Sequence, residues 1–291
     1  MAYLERYAEM MRQKKHRFEI VDGQLFVRRE RWIAPVGPVG QAYGLNAAQR
    51  AELLRKLGGG WVQWTDGFGP HAAASEWYVL ICRKYIPVDE VVSANARKHI
   101  RRGLKHCEVR QVDAREIARN GYETYCAAIR GYGNRDPLPT AEEFARRVMT
   151  DEPFGDVHHH WAAYHEGKLI AFNQNKIYDD VEADYTLGKF HPDYLKQYPA
   201  YALFTAMNEY YLVQKRFQYV HAGARTISHE TEIQEFLTRL FNFEKVPTGL
   251  HVHFRPPFGA FLRAARPFRA AATALYPKAS ALFELDRLRM K

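Results

Sequence analysis

The chain has 291 residues, 47% apolar and 26% charged, which is typical of a globular protein with room for one large domain or two smaller ones. No apolar run reaches the roughly 20 residues needed to cross a bilayer, and the N-terminus lacks a signal-peptide core, so we expect a cytoplasmic protein. The 42 Lys and Arg against 33 Asp and Glu give a net charge of +9. That charge favours an anionic partner such as coenzyme A, an acidic carrier protein, tRNA or a membrane surface.

Residues 1–92 predict a small α+β lobe. Asp22-Gly23 separates two short apolar runs, which indicates a β-hairpin over residues 18–27. Asn46 is a good N-cap for the helix that follows it. Turn residues and apolar runs predict the other elements, which are a Gly- and Pro-rich loop over 34–44, a helix over 47–57 ending at Gly58, and strands over 61–64 and 76–81.

Residues 91–106 form the most basic segment of the chain. Ala96, Ile100 and Leu104 recur at helical spacing, so the segment predicts a helix with one apolar row. Its other sides carry the positive residues Arg97, Lys98, Arg101, Arg102 and Lys105. These side chains either form a solvated face or bind an anion of tRNA, a carrier protein or a cofactor.

From residue 107 onward, strands and helices alternate. Thr140 and Glu143 form a capping box, and Pro199 occupies the first position of a long crossover helix. The predicted elements are a strand over 107–112, a helix over 114–129, a helix from 140, an antiparallel meander of strands over 157–164, 168–178 and 181–190, a helix over 199–215, a strand over 217–224, a helix capped by Ser228 and a strand over 250–255. The basic tail 259–291 predicts one or two helices.

Ionisable residues on two strands are the candidate acid and base groups. Glu182 and Asp184 lie two residues apart and share one face of their strand, where paired carboxylates can raise each other's pKa. His221 is either a core histidine or a site group. Arg225, at the end of the strand with His221, is a candidate binder of carboxylate or phosphate.

Other polar residues leave two interpretations open. Asn173 and Asn175 share one strand face, where they line an acceptor site or face water. The alternating histidines at 158–160 and at 251 and 253 have metal-ligand spacing, but no further ligand accompanies them, and we predict no metal. The cysteines 82, 107 and 126 are scattered and suggest neither disulfides nor a zinc site.

The element order over residues 107–255 resembles the GNAT acyltransferase fold. The stretch Ser93-x-x-x-Arg97-x-x-Ile100-Arg101-x-Gly103-x-Lys105, followed by a strand, resembles the FemAB-like branch of that superfamily, as do Phe241-Asn-Phe243 and His253-Phe-Arg-Pro-Pro257. The similarity is greatest to its bacterial acetyltransferase-like group and spans about residues 75–260. It implies an α+β fold with a mixed sheet, in which a GNAT domain over 93–258 follows a partial GNAT-like lobe over 1–92 and precedes the tail.

The resemblance implies transfer of an acyl or aminoacyl group from an activated donor to an amine acceptor by direct nucleophilic attack. Acyl-coenzyme A, acyl carrier protein and aminoacyl-tRNA are the donors to consider. The glycine-rich loop that cradles the pyrophosphate in most coenzyme A-dependent members is replaced here by the segment from Lys189 to Tyr198. The alternative is a non-catalytic GNAT-shaped protein that binds an anion such as RNA, and membrane contact by the tail is a minor alternative.

The resemblance also assigns expected roles. The catalytic candidates are Asp184, His221 and Glu182. The expected donor-binding residues are Leu187, Gly188, Lys189, His191, Tyr198 and Tyr201. The expected acceptor-binding residues are Asn173, Asn175, Tyr185, Arg225 and Ser228, and the expected anion-binding residues are Arg97, Lys98, Arg101, Arg102 and Lys105.

Overall fold

The computed structural model describes residues 2–131, 136–227, 232–276 and 279–290. Two compact units divide the chain. The first comprises Met1–Leu80, Ala224–Glu232 and Lys245–Lys291, and the second comprises Ile81–Gly223 and Ile233–Glu244. Each unit contains a sheet with both parallel and antiparallel pairs.

The strands are β1 (Phe18–Val21), β2 (Gln24–Arg28), β3 (Trp32–Val36), β4 (Trp61–Phe68), β5 (Tyr78–Cys82), β6 (Glu108–Val112), β7 (His158–His165), β8 (Lys168–Tyr178), β9 (Glu182–Phe190), β10 (Tyr219–Ala224) and β11 (Glu244–Phe254). The helices are α1 (Ala2–Gln13), α2 (Ala47–Leu57), α3 (Ala94–His106), α4 (Ala114–Asn120), α5 (Tyr122–Gly131), α6 (Ala141–Met149), α7 (Pro199–Asn208), α8 (Glu232–Leu240), α9 (Pro256–Ala265), α10 (Arg269–Leu275) and α11 (Ala279–Leu288). Within the described ranges, no helix has the length and apolar character needed to span a membrane.

The sheet of the first unit has the order β1-β2-β3-β4-β11. The predicted hairpin is confirmed, because Asp22 and Gly23 have φ values of 48° and 71°, as a tight two-residue turn requires. Asn46 is the N-cap of helix α2, since its side chain accepts from the Gln49 amide, and the leucines of α2 join the core of the unit. The predicted cap and helix are therefore confirmed.

The first unit differs from the sequence-based expectation in three places. Residues 34–36, predicted as loop, belong to β3, because β2 pairs with them as far as Val36. Helix α1 was not predicted, although Tyr3, Tyr7 and Met10 recur at helical spacing and are buried. The predicted strand 250–255 spans Glu244–Phe254 and lies mostly in the first unit, since it pairs antiparallel with β4.

The sheet of the second unit has the order β10-β9-β8-β7-β6, with β10 parallel to β9 and the other pairs antiparallel. This confirms the predicted meander and crossover. The predicted helix over 114–129 is divided at Gly121 into α4 and α5. Their apolar side chains and Phe144 of α6 pack with Ala162, Tyr164 and Phe172 on one face of the sheet.

Helix α7 packs on the opposite face of this sheet. Tyr198 has a left-handed backbone with a φ of 58°, and Pro199 begins the helix as predicted. The α-helical part ends at Asn208 and continues as a π-helical turn over Glu209–Gln214. Helix α3 packs closely on the start of α7, because a Cβ at Gly103 would lie 2.7 Å from the Tyr198 carbonyl oxygen.

Candidate active site

Two neighbouring strands bring the three catalytic candidates together. The parallel register pairs Tyr219 with Glu182 and His221 with Asp184, so both carboxylates and the imidazole lie on one face of the sheet. The His221 Nε2 atom is 2.9 Å from Glu182 Oε1 and 3.4 Å from Asp184 Oδ1. The histidine therefore bridges the two acids.

Burial strengthens the electrostatic interactions within this cluster. Glu182 is fully buried and His221 is 5% exposed, whereas the Asp184 side chain is 17% exposed. Burial disfavours the charged imidazole, but the carboxylates of Asp184 and Glu182 outweigh it and raise the pKa of His221 to about 9. Asp184 is therefore the most solvent-exposed member of the cluster.

The backbone of β10 orients the imidazole. The Gly223 amide donates to His221 Nδ1 at 3.1 Å, which leaves Nε2 as the nitrogen nearest the two acids. Protonation of Nδ1 breaks this hydrogen bond with Gly223. The attraction between the resulting imidazolium and the two carboxylates offsets the loss. Gly223 has a φ of 84°, a conformation that favours glycine.

The cluster lies where β9 and β10 cease to pair, a position we call the fork. In the register of the described residues, parallel pairing ends at His221 and Asp184, while β9 continues to Phe190 alongside β8. Next to the fork, Asn175 pairs with Tyr185 and Gln174 with Leu187, so Thr186 forms a β-bulge. A bulge re-aims the strand, and the predicted donor residues Leu187, Gly188 and Lys189 follow it.

A second polar group on the same face was not assigned from the sequence. Asp151 lies beside β7 and contacts His158 Nδ1 at 3.1 Å, His160 Nε2 at 3.7 Å and Gln174 Nε2 at 2.6 Å. Asp151, His158 and His160 border a cavity of about 390 Å³. The alternation of His158 and His160 was the signal in the sequence, but their partner Asp151 comes from a loop. Among the described residues, no group of three or more His, Cys, Asp or Glu is arranged to hold a metal ion.

Three predicted acceptor residues lie on the other face of the sheet, under α7. Asn173 donates to Asn175 at 2.6 Å, Asn175 donates to the Tyr211 hydroxyl at 3.2 Å, and Tyr185 donates to Asn208 at 2.8 Å. All are buried. The structure thus separates them from the carboxylate and histidine cluster by the thickness of the sheet.

The predicted donor residues beyond β9 surround the start of α7. His191 begins a 3-10 turn over Pro192–Gln197, and its Nδ1 accepts from the Asp193 amide at 3.3 Å. Tyr198 stacks on His99 of α3 with a centroid distance of 4.4 Å, and the Tyr201 ring packs edge-on against Phe236 at 5.0 Å. Lys189 is buried, which lowers its pKa.

Parts of the predicted anion-binding helix have internal partners. Arg97 donates to the Val91 carbonyl at 2.5 Å and Arg101 to Asp89 at 2.5 Å. Arg102 lies 5.0 Å from the centroid of the Tyr198 ring. This stacking brings one cation of α3 to the start of α7. Lys98 and Lys105 belong to the same helix.

Arg225, a further predicted acceptor residue, has its partners outside the cluster. Arg225 falls in the first unit, where it donates to the Glu76 carbonyl at 3.0 Å and to Glu284 at 3.4 Å. Ser228, predicted as helix cap and acceptor contact, lies outside the described residues.

Comparison with known proteins gives structural matches alone. No protein-family profile and no curated protein sequence matches the chain. Its structure is similar to FemX, with a TM-score of 0.56, 11% identity and coverage of 86% of this chain and 90% of FemX. It is also similar to the C-terminal domain of a candidate lysylphosphatidylglycerol synthetase from Agrobacterium fabrum, with a TM-score of 0.54, 11% identity and coverage of 89% and 90%.

A tandem GNAT protein from the clavulanic acid biosynthesis pathway also matches, with a TM-score of 0.46, 14% identity and coverage of 79% of this chain and 78% of that one. The matches to FemX and to the synthetase domain extend over both compact units. The chain has a GNAT-like fold. The fold expected from the sequence, a GNAT-type α+β domain preceded by a smaller lobe, is confirmed.

Proposed function

We propose that the protein is an acyltransferase that moves an acyl or aminoacyl group from an activated donor to an amine. The observation that carries the proposal is the bridge from His221 to Glu182 and Asp184 at the fork. A buried cluster of titratable groups with one member partly exposed to solvent is an arrangement suited to proton transfer. The GNAT-like fold and the similarity to FemX support the same reaction class.

The cluster accepts the proton that an ammonium group must lose before it reacts. Asp184 takes this proton directly or through one water, while His221 and the buried Glu182 stabilise the charge that moves. The amine nitrogen then attacks the donor carbonyl carbon and forms a C–N bond. The bond from that carbon to the donor oxygen or sulfur breaks, and the leaving group takes the second proton from nitrogen.

The donor in this proposal lies along β9 beyond the bulge, toward the start of α7. The N-terminal end of α7 and the cation of Arg102 near Tyr198 suit a phosphate-bearing donor. The 3-10 turn Pro192–Gln197 occupies the position of the expected glycine loop, which favours a donor with a broad phosphate surface, such as aminoacyl-tRNA or acyl carrier protein, over free acyl-coenzyme A. All three donors are cytoplasmic, and we propose that compartment.

An assay of the purified full chain tests this proposal. The donors are acetyl-coenzyme A, an acyl carrier protein thioester and aminoacyl-tRNA, each supplied with a library of amines. We expect release of free thiol or deacylated tRNA that depends on the amine. Asp184→Asn should lower that rate by about 10²- to 10⁴-fold, the usual contribution of a positioned acid or base.

The control is Glu108→Gln, which removes an exposed carboxylate from the same sheet, and it should leave the rate unchanged. Equal rates for Asp184→Asn and the parent chain would overturn the assigned role. If no donor and amine pair gives product, the protein is instead a binder of GNAT-like shape.

A further inference from the structure

The segment 256–276 leaves large apolar side chains in solvent. Phe261, Phe268, Leu275 and Tyr276 have relative exposures of 68%, 69%, 75% and 73%. Isolated apolar residues on a surface are normal, but four within sixteen positions form a local concentration. Such a concentration marks an interaction surface.

Three of these residues recur at a regular spacing along one helical run. Helix α9, a 3-10 turn over Arg266–Phe268 and helix α10 follow one another without a break. Phe261, Phe268 and Leu275 are seven residues apart, which is close to two turns of a regular α-helix, and the 3-10 turn lies between the first and the last of them. Leu262 points elsewhere and is buried in the core of the first unit, which anchors the run.

The charged residues of this segment indicate which kind of partner it binds. The segment 256–276 contains no Asp or Glu and three arginines, at 263, 266 and 269. Arg266 is held by Asp286 of α11, with Nε donating at 2.8 Å, while Arg263 and Arg269 are exposed. Aromatic and aliphatic side chains between arginines match an anionic lipid surface, which offers acyl chains beside phosphates.

We propose that α9 and α10 lie on an anionic membrane surface, with Phe261, Phe268 and Leu275 inserted among the lipids and the arginines at the headgroups. The inference concerns where the protein binds and does not depend on the proposed acyl transfer. It also differs from the proposed donor contacts, which use residues of the second unit.

Vesicle sedimentation with the full chain tests the inference. One set of vesicles is phosphatidylcholine alone and the other contains one quarter phosphatidylglycerol. We expect at least tenfold tighter binding to the anionic vesicles, and weaker binding as salt is raised. The double variant Phe261→Ser with Phe268→Ser should reduce the binding at least tenfold.

The matched control is Val92→Ser with Val213→Ser, which removes two other exposed apolar side chains and should bind like the parent chain. Circular dichroism confirms that each variant is folded. Equal binding to both kinds of vesicle, or no loss in the phenylalanine variant, would overturn the inference. A dimer that dissociates in that variant, without vesicle binding by the parent, would assign the surface to a second copy of this chain.

Discussion

The two faces of the sheet in the second unit both bury polar side chains, but they do so in different ways. Under α7, the Tyr211 hydroxyl joins His159, Trp161 and Asn175 at 2.9, 3.0 and 3.2 Å. Burial lowers the pKa of His159 to about 4, so its neutral Nδ1 accepts from the hydroxyl. Every group in this network is uncharged and matched to a partner.

The opposite face holds the charged cluster at the fork. His221 there carries a pKa raised to about 9 by two carboxylates that prevail over burial. A neutral, satisfied network stabilises the fold and specifies packing, whereas a charged cluster open to solvent on one side is suited to move protons. Burial alone therefore does not distinguish the two faces, whereas charge and access to solvent do.

The largest effect is expected when the charge balance of the cluster is broken. His221→Ala leaves Glu182 and Asp184 facing each other without a cation, and should destabilise the protein by about 3–5 kcal/mol. Adding Glu182→Gln removes one of the charges and should restore part of the loss. Urea unfolding of the single and double variants measures both, and an unchanged midpoint for His221→Ala would contradict the charged assignment.

The two faces should also respond to pH in opposite directions. The raised pKa of His221 means that its contribution is complete below about pH 6.5 and is lost as pH rises through about 9. The lowered pKa of His159 means that its contribution is present above about pH 6.5 and is lost as pH falls through about 4. Each histidine contributes at most about 3 kcal/mol to the free energy of unfolding, because one pKa unit corresponds to about 1.4 kcal/mol.

Urea unfolding from pH 4 to 9.5 measures these slopes. His221→Gln should reduce the pH dependence of the unfolding free energy only above about pH 6.5. His159→Gln should reduce it only below about pH 6.5. If either variant instead reduces the pH dependence in the other pH range, the charge state of that histidine has been assigned incorrectly.

The sequence predicted the strands of the meander and the shared face of Glu182 and Asp184 because alternation and turn residues act locally. It did not reveal that Asn173, Asn175 and Tyr185 face α7, because a strand pattern identifies shared faces without saying what covers each. The sequence did not reveal that β11 pairs with β4, since this pairing is a contact between distant residues. Asp151 was missed because only the fold brings it to His158.

Removal of the Tyr211 hydroxyl from the network under α7 should destabilise the protein. Tyr211→Phe leaves the Trp161 and Asn175 donors buried without their acceptor, at about 1–3 kcal/mol for each unsatisfied group. Acyl transfer per folded molecule should stay unchanged. Tyr194→Phe, a partly buried tyrosine elsewhere in this unit, is the control for unfolding. A loss of transfer greater than the loss of folded protein would mean that this face takes part in catalysis.

The smallest effect is expected where α3 packs against the backbone of α7. A Cβ at Gly103 would lie 2.7 Å from the Tyr198 carbonyl oxygen and 3.2 Å from the Ala202 amide nitrogen, so Gly103→Ala must push α3 away from α7. Overpacking costs about 1–3 kcal/mol, and the better helix propensity of alanine returns up to about 1 kcal/mol. Gly155→Ala has open space at its Cβ and should change little. If Gly103→Ala instead proves stabilising, α3 and α7 do not pack this closely, and the stacking of Arg102 on Tyr198 loses its structural basis.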